Sequence, residues 1–278
     1  MKIFTTKASL AEHLEQLRSS GKSIGFVPTM GALHQGHLSL LAQAQQYCDI
    51  TVCSIFVNPT QFNDPKDLEK YPRPIAADIE KLEQAECDIL FNPEVGEMYD
   101  GDEQWHLDIG ELEHLLEGKF RPGHYQGVTQ VVFKLFDIVK PGMAFFGQKD
   151  YQQFLVIEKM IDLLHLGVKL VMCPIFREPD GLAMSSRNIH LSVDNRLHAL
   201  VLSRSLNWLK QHFDRNQLSY LAQECRDMIS AEPGVQLEYF EITDGNNLHK
   251  ANQNTEQTVA LVAAKVGNTR LIDNMILS

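Results

Sequence analysis

Short apolar runs closed by proline or glycine alternate with amphipathic stretches through the first two-thirds of this chain, and that alternation limits the possible folds more than any other feature. Ser23–Val27 reads as a buried strand ended by Pro28, and Gly36–Tyr47 as a helix with Leu38, Leu41 and Ala42 on one face. Ile50–Val57 is rich in β-branched residues and stops at Asn58-Pro59. Ile75–Ala85 is helical by pattern, Asp88–Phe91 a short strand, and Val128–Val139 a helix halted by Pro141-Gly142. Met143–Phe146, Tyr151–Leu164 and Val168–Cys173 then read as strand, helix and strand. Strands separated by helices predict βαβ units and a mostly parallel, doubly wound Rossmann-like sheet.

The pattern changes near residue 175, where we expect a domain boundary: 1–175 as the α/β domain and 176–278 as a smaller α+β lid or C-terminal domain. Ser192 suits an N-cap for a long helix whose apolar stripe is Leu197, Leu200, Val201, Leu206 and Leu209. A second helix over Leu218–Ile229 ends before Pro233-Gly234. Runs resembling strands follow at Leu237–Ile242, Thr258–Val262 and Thr269–Ile276.

Bulk properties narrow the function. A chain of 278 residues with 44% hydrophobic side chains can build one large or two modest cores. The net charge of -11 argues against nonspecific binding to nucleic acid or an anionic membrane, though a local cationic pocket remains open to a small anion. Five scattered cysteines without a CxxC pair, no signal-peptide pattern and no long apolar run together predict a reduced, cytoplasmic chain with buried thiols.

Ligands of a parallel sheet bind beyond the carboxyl ends of its strands. Three segments that follow predicted strands carry chemistry, and a fourth lies at the expected domain junction. In Pro28-Thr29-Met30-Gly31-Ala32-Leu33-His34-Gln35-Gly36-His37, Gly31 and Gly36 permit tight turns, and a helix start attracts anions. His34 and His37 sit three apart and share one side of its first turn. Alone, this segment fits an anion site and a pair of structural histidines equally well. Gln61, in the loop after the third run, can both donate and accept. In Gly147-Gln148-Lys149-Asp150, the glycine lets the chain leave a strand tightly, and Lys149 suits a phosphate. Asp150 suits a helix cap or a ribose, and Gln153 lies one turn on. Met184-Ser185-Ser186-Arg187 combines donors in a loop able to close over a triphosphate.

His34-x-x-His37 resembles the HIGH-type signature of the nucleotidylyltransferase superfamily, and Met184-Ser185-Ser186-Arg187 resembles its KMSKS counterpart. More narrowly, the segments 28–34, 57–62, 70–73, 121–125, 146–150 and 180–188 together resemble the pantothenate synthetase family, in order along residues 20–190. The resemblance implies ATP-dependent condensation of (R)-pantoate with β-alanine through a pantoyl adenylate, releasing AMP and diphosphate. It also implies a homodimer and a magnesium ion carried with ATP. Carried over by motif, Met30, Gly31, Ala32, Leu33, His34, Gln35, Gly36 and His37 line the nucleotide site, together with Gly147, Gln148, Lys149, Asp150, Phe176, Met184, Ser185, Ser186 and Arg187. His37, His34, Lys149 and Arg187 are the implied catalytic set, with His37 as proton donor. Gln61, Gln153 and Asn58 are the implied substrate contacts. Gln148 departs from the family's usual Glu, and Phe176 from a smaller apolar residue. Other HIGH-type nucleotidylyltransferases, which need no amine, and a noncatalytic nucleotide sensor are the competing readings. A class I aminoacyl-tRNA synthetase fits poorly, because no basic anticodon-binding module is evident.

Overall fold

The computed structural model describes every residue except Asp64, Asp100 and Asp102 and the side chain of Asp67. The elements run β1 (Lys2–Phe4), α1 (Lys7–Ser19), β2 (Ile24–Thr29), α2 (Gln35–Tyr47), β3 (Ile50–Ile55), α3 (Pro65–Lys70), α4 (Ile75–Gln84) and β4 (Ile89–Phe91). They continue with α5 (Val95–Met98), α6 (Leu116–Phe120), α7 (His124–Val139), β5 (Met143–Gly147), α8 (Tyr151–Leu163) and β6 (Lys169–Cys173). Last come α9 (Val193–Gln211), α10 (Leu218–Ser230), β7 (Val235–Asp244), β8 (Thr258–Val266) and β9 (Thr269–Ile276).

The chain forms two compact units, Met1–Gly147 with Gln153–Cys173, and Gln148–Gln152 with Pro174–Ser278. In the first, six strands lie in the order β1-β4-β3-β2-β5-β6, all pairs parallel. From β2 the order runs one way through β3 and β4 and the other way through β5 and β6. The switch between β2 and β5 is where a doubly wound sheet opens its ligand crevice. The strands read as near-continuous apolar runs because both faces are covered: Phe26, Val27, Val52, Leu90 and Phe145 are all buried. β2 runs on through Pro28 to Thr29, farther than the proline suggests. Its ladder to β5 ends at Phe26–Ala144, whereas its ladder to β3 continues to Thr29–Ile55. In a parallel strand alternate residues bond to opposite sides. The Thr29 carbonyl serves β3, so Pro28 faces the side where pairing has ended and its missing N–H breaks no ladder.

In the second unit, β7, β8 and β9 form an antiparallel sheet. A core of Leu202, Leu206, Leu209, Cys225, Phe240 and Val262 joins it to α9 and α10. Ser192 caps α9 by accepting the Asn195 N–H. Leu197, expected in the stripe of α9, is 60% exposed, because Ala199 and Leu202 set the inward face instead. In α2 likewise the buried face is Leu40, Leu41 and Ala44, and Ala42 is exposed. Of the five thiols, all free, Cys48 is only half-buried.

Candidate active site

The histidine loop leaves the carboxyl end of β2. Thr29 fixes its start, donating to the Ser54 carbonyl of β3 at 2.7 Å and accepting the Gly31 N–H at 3.1 Å. Gly31 and Ala32 then take left-handed conformations, with φ of 81° and 49°. A side chain at Gly31 would place its Cβ 3.0 Å from Ile55 and 3.1 Å from the Asp78 carboxylate. Ala32 has a Cβ and bears the steric cost of this region, about 1–2 kcal/mol. Asp78 of α4 holds it there. One carboxylate oxygen accepts the Ala32 N–H at 2.7 Å and the other the Leu33 N–H at 2.8 Å. Lys81, one turn on, donates to the Leu33 carbonyl at 2.7 Å. The tight turn is therefore at residues 31–32 and not at Gly36, which lies in the first turn of α2.

His34 is the extended N-cap of α2 and His37 its third residue. Their rings stack with centroids 3.9 Å apart and planes inclined by 19°. The His34 backbone N–H donates to His37 Nδ1 at 3.3 Å. An imidazole nitrogen that accepts carries no proton, so neutral His37 holds its proton on Nε2 and presents it as a donor. The two rings thus have different roles built in, although their spacing makes them look alike. The positive end of the α2 dipole adds a preference for an anion at this turn.

Gln61 lies in a 3-10 turn, Pro59–Gln61, beyond β3. Its amide nitrogen contacts Met30 Sδ at 3.0 Å, which brings this turn against the histidine loop. Buried Asn58 donates to Gln61 Oε1 at 3.2 Å and to the Gly127 carbonyl at 3.1 Å. The Asn58 side-chain Oδ1 accepts from the Tyr99 hydroxyl at 2.6 Å and from the Thr60 hydroxyl at 3.1 Å. Burial pushes the Tyr99 phenol up, so it stays a donor. α7 approaches the turn so closely that a Cβ on Gly127 would stand 2.4 Å from the Thr60 carbonyl oxygen. The Gln61 carbonyl accepts from His124 Nδ1 at 2.9 Å, which leaves His124 Nε2 to accept from Arg121 at 3.1 Å. Gln153 is half-buried in the first turn of α8.

Gly147 ends β5 without a left-handed φ, and nothing lies within 4 Å of where its Cβ would be, so the chain itself requires no glycine there. In the second unit, Gln148–Asp150 forms a 3-10 turn. Gln148 donates through its side-chain amide to Asn274 at 3.0 Å. Its departure from Glu thus has a local partner that a carboxylate cannot serve. Arg177 and Ala183 pair across a short hairpin, and the Phe176 carbonyl accepts the Met184 N–H at 3.0 Å. Phe176 is 40% exposed, and that bond ties in its backbone. Beyond the hairpin Ser185 caps a short 3-10 turn by accepting the Arg187 N–H at 3.3 Å. Asn188 ties this turn back to Glu178 at 2.6 Å and to the Ala183 carbonyl at 3.1 Å. Arg196 of α9 reaches both Glu178 and Asp180. Sequence reasoning does not find Asp78, Tyr99 or Asn274. Each acts on a segment far away in sequence, and a lone Asp, Tyr or Asn has no local signature.

A parallel sheet with a histidine-bearing helix start beside its switch point defines the class: a doubly wound α/β protein built to hold an anionic ligand at its strand ends. Within that class the chain belongs to the pantoate–β-alanine ligase family, whose pattern, described as "Pantoate-beta-alanine ligase", matches residues 2–276. It is 47% identical over 277 residues to a pantothenate synthetase of Porphyromonas gingivalis, covering 99% of both chains. Its fold matches the crystal structure of pantothenate synthetase from Thermus thermophilus with TM-score 0.93 at 38% identity, covering 100% of this chain and 99% of that one. The pantoate-β-alanine ligase of Francisella tularensis, crystallised with β-γ ATP and β-alanine, matches with TM-score 0.82 at 35% identity, covering 100% of this chain and 98% of the other.

Proposed function

We propose that this chain condenses (R)-pantoate with β-alanine at the expense of ATP, through a pantoyl adenylate. The observation that carries this reading is the histidine loop. It is held in a left-handed turn beside the switch point, with Gln61 against it, in a family whose Francisella member was crystallised with an ATP ligand and β-alanine. Residues 1–175 act as the nucleotide- and pantoate-binding domain and 176–278 as the smaller α+β C-terminal domain.

In the first step a pantoate carboxylate oxygen attacks the α-phosphorus of ATP, the bond to the bridging oxygen breaks, and diphosphate leaves. The protein's task is to position the reactants and neutralise charge on the phosphoryl oxygens. His37 donates through Nε2 to that charge, and His34 packs against its ring. Met30–Gly36, Gly147, Gln148 and Asp150, with the Phe176 backbone and Met184, line the nucleotide. Lys149, Ser185, Ser186 and Arg187 supply its cationic and hydroxyl donors. Asn58, Gln61 and Gln153 hold pantoate. In the second step the free amine of β-alanine attacks the acyl carbon, AMP departs, and the ammonium formed loses a proton.

Magnesium enters with the triphosphate. Among the described residues no group of three or more His, Cys, Asp or Glu side chains is arranged as a metal site. Phosphate oxygens and water are ligands this ion prefers, so it would be carried on the nucleotide and would help neutralise the phosphate charge. We further propose a cytoplasmic homodimer. Its free cysteines suit a reducing compartment, and among the described residues no helix is long and apolar enough to cross a membrane.

The test is turnover with ATP and pantoate, with and without β-alanine, followed by mass analysis. Pantothenate and AMP in equal amounts, only with the amine present, support the reading. A stable nucleotide ester that ignores the amine overturns it.

A further inference from the structure

The last strand carries two adjacent buried polar residues, Asp273 and Asn274, at 3% and 1% exposure. Neither belongs to any motif along the sequence. Asn274 donates through its side-chain amide to the backbone carbonyls of Gln148 and Lys149, each at 2.9 Å, and accepts from the Gln148 side chain. All three of these bonds go to the turn that presents Lys149. Asp273 forms a two-pronged ion pair with Arg177, at 2.7 and 2.9 Å. It also accepts the Asn274 backbone N–H at 2.8 Å, which ties the carboxylate to the main chain of the strand. Arg177 starts the hairpin that leads to Met184–Arg187, and it also donates to the Gly181 carbonyl across that hairpin at 3.1 Å.

We infer that Asp273 and Asn274 form a positioning pair for nucleotide binding, setting the Lys149 turn at a fixed distance from the hairpin that carries Ser185, Ser186 and Arg187. The inference rests on the proposed assignment of these two segments to ATP. Neither residue belongs to the segments assigned to the nucleotide. Each holds one of those segments, and both stand on one strand paired along its whole length with β8. Geometry assembled this way explains why a carboxylate is kept buried on this strand. Burial works to push the Asp273 carboxyl up, while Arg177 and the nearby Lys149 ammonium work to keep it charged. A bidentate guanidinium is the partner that offsets the desolvation best.

The test uses Asn274→Asp and Asp273→Asn in the full-length enzyme. Both keep shape and volume. The first cannot donate to either carbonyl, and the second cannot form the charged fork. Each is measured for KM of ATP, pantoate and β-alanine, for kcat, and for thermal unfolding. We expect KM for ATP to rise about tenfold or more, as two misplaced phosphate-binding segments imply. KM for pantoate should move less than twofold. A purely structural role predicts lower thermal stability with all three KM values unchanged in the folded fraction, and that result overturns the inference. Arg177→Lys is the conservative partner: it keeps the charge, loses the fork and is expected to raise KM for ATP by a smaller factor. If the strand variants fail to fold, an unchanged KM for ATP in Arg177→Lys overturns the inference by itself. Wild-type protein that makes no pantothenate would remove the functional reading instead, and direct calorimetric titration with an ATP analogue would still compare the variants.

Discussion

Asp78 is the residue whose removal should do most damage for its size. Its carboxylate is 1% exposed and accepts two backbone N–H groups, from Ala32 and Leu33, in the loop that turns β2 into α2. Asp78→Ala leaves both donors without their acceptor in a buried setting, at about 1–3 kcal/mol each, so about 2–6 kcal/mol together. It also frees the left-handed Ala32 to relax, and that relaxation recovers part of the loss while dismantling the loop. Asp78→Asn is the more telling variant. Its amide oxygen serves one N–H while its NH2 group faces the other, so the expected loss is about half as large. Urea unfolding followed by circular dichroism gives the stability change, and single-turnover release of diphosphate gives the effect on adenylation. We expect adenylation to fall in both variants by more than the unfolded fraction explains, because His34 and His37 follow directly from the displaced turn. A loss below about 1 kcal/mol for Asp78→Ala, or full adenylation by the folded variant, would refute the claim that α4 holds this loop.

His37→Ala should slow diphosphate release by about 10²–10⁴-fold, the usual worth of a positioned proton donor. His37→Gln, whose amide can present an N–H, should retain more than the alanine variant in the same single-turnover assay. Gly127→Ala puts a methyl group 2.4 Å from the Thr60 carbonyl oxygen, so the Pro59–Gln61 turn must move. Calorimetry should show weaker pantoate binding with little change for an ATP analogue. Burial pushes the thiols of Cys87 and Cys173 up to about 11 and that of Cys225 to about 12. At pH 8 a thiol at 11 is only about 10⁻³ thiolate, and that fraction rises with pH, so half-buried Cys48 should be alkylated first in the native protein, as read by peptide mass mapping.

The centre of the parallel sheet was legible because burial on both faces makes β2, β3 and β5 near-continuous apolar runs, and in the second sheet Thr269–Ile276 matches β9 end to end. Two errors share one cause. Leu197 and Ala42 were placed inward by spacing alone, but the rotation of a helix about its axis is set by what it packs on, and neither helix carries that information locally. β1 and α1 leave little mark on the sequence because a strand of three residues and a helix with buried Leu10 and Leu14 among charged neighbours give weak periodicity. Around the site, side chains that carry their own chemistry stood out in the sequence, whereas those that hold backbone did not. Asp78 lies 45 residues from Leu33, and Asn274 lies 126 from Gln148. Such links are products of topology: α4 follows the neighbouring strand β3, and β9 runs past the turn after β5.

The histidine pair shows what structure adds to a motif. Spacing alone places two equivalent imidazoles on one turn, and equivalence leaves the proton donor undecided. The left-handed turn at 31–32 breaks the symmetry. It delivers His34 in an extended N-cap conformation, so that its backbone N–H points at His37 Nδ1. His37 is thereby fixed with its proton on Nε2, and protonating Nδ1 would break that bond. His34 caps the helix start and stacks on the ring it has oriented. The proposed choice of His37 as donor therefore rests on backbone geometry, and that geometry rests on Asp78. Replacing Asp78 should accordingly narrow the kinetic difference between the His34→Ala and His37→Ala variants. A gap between those two that stays undiminished in the Asp78→Asn background would show that the tautomer is set by something other than this turn.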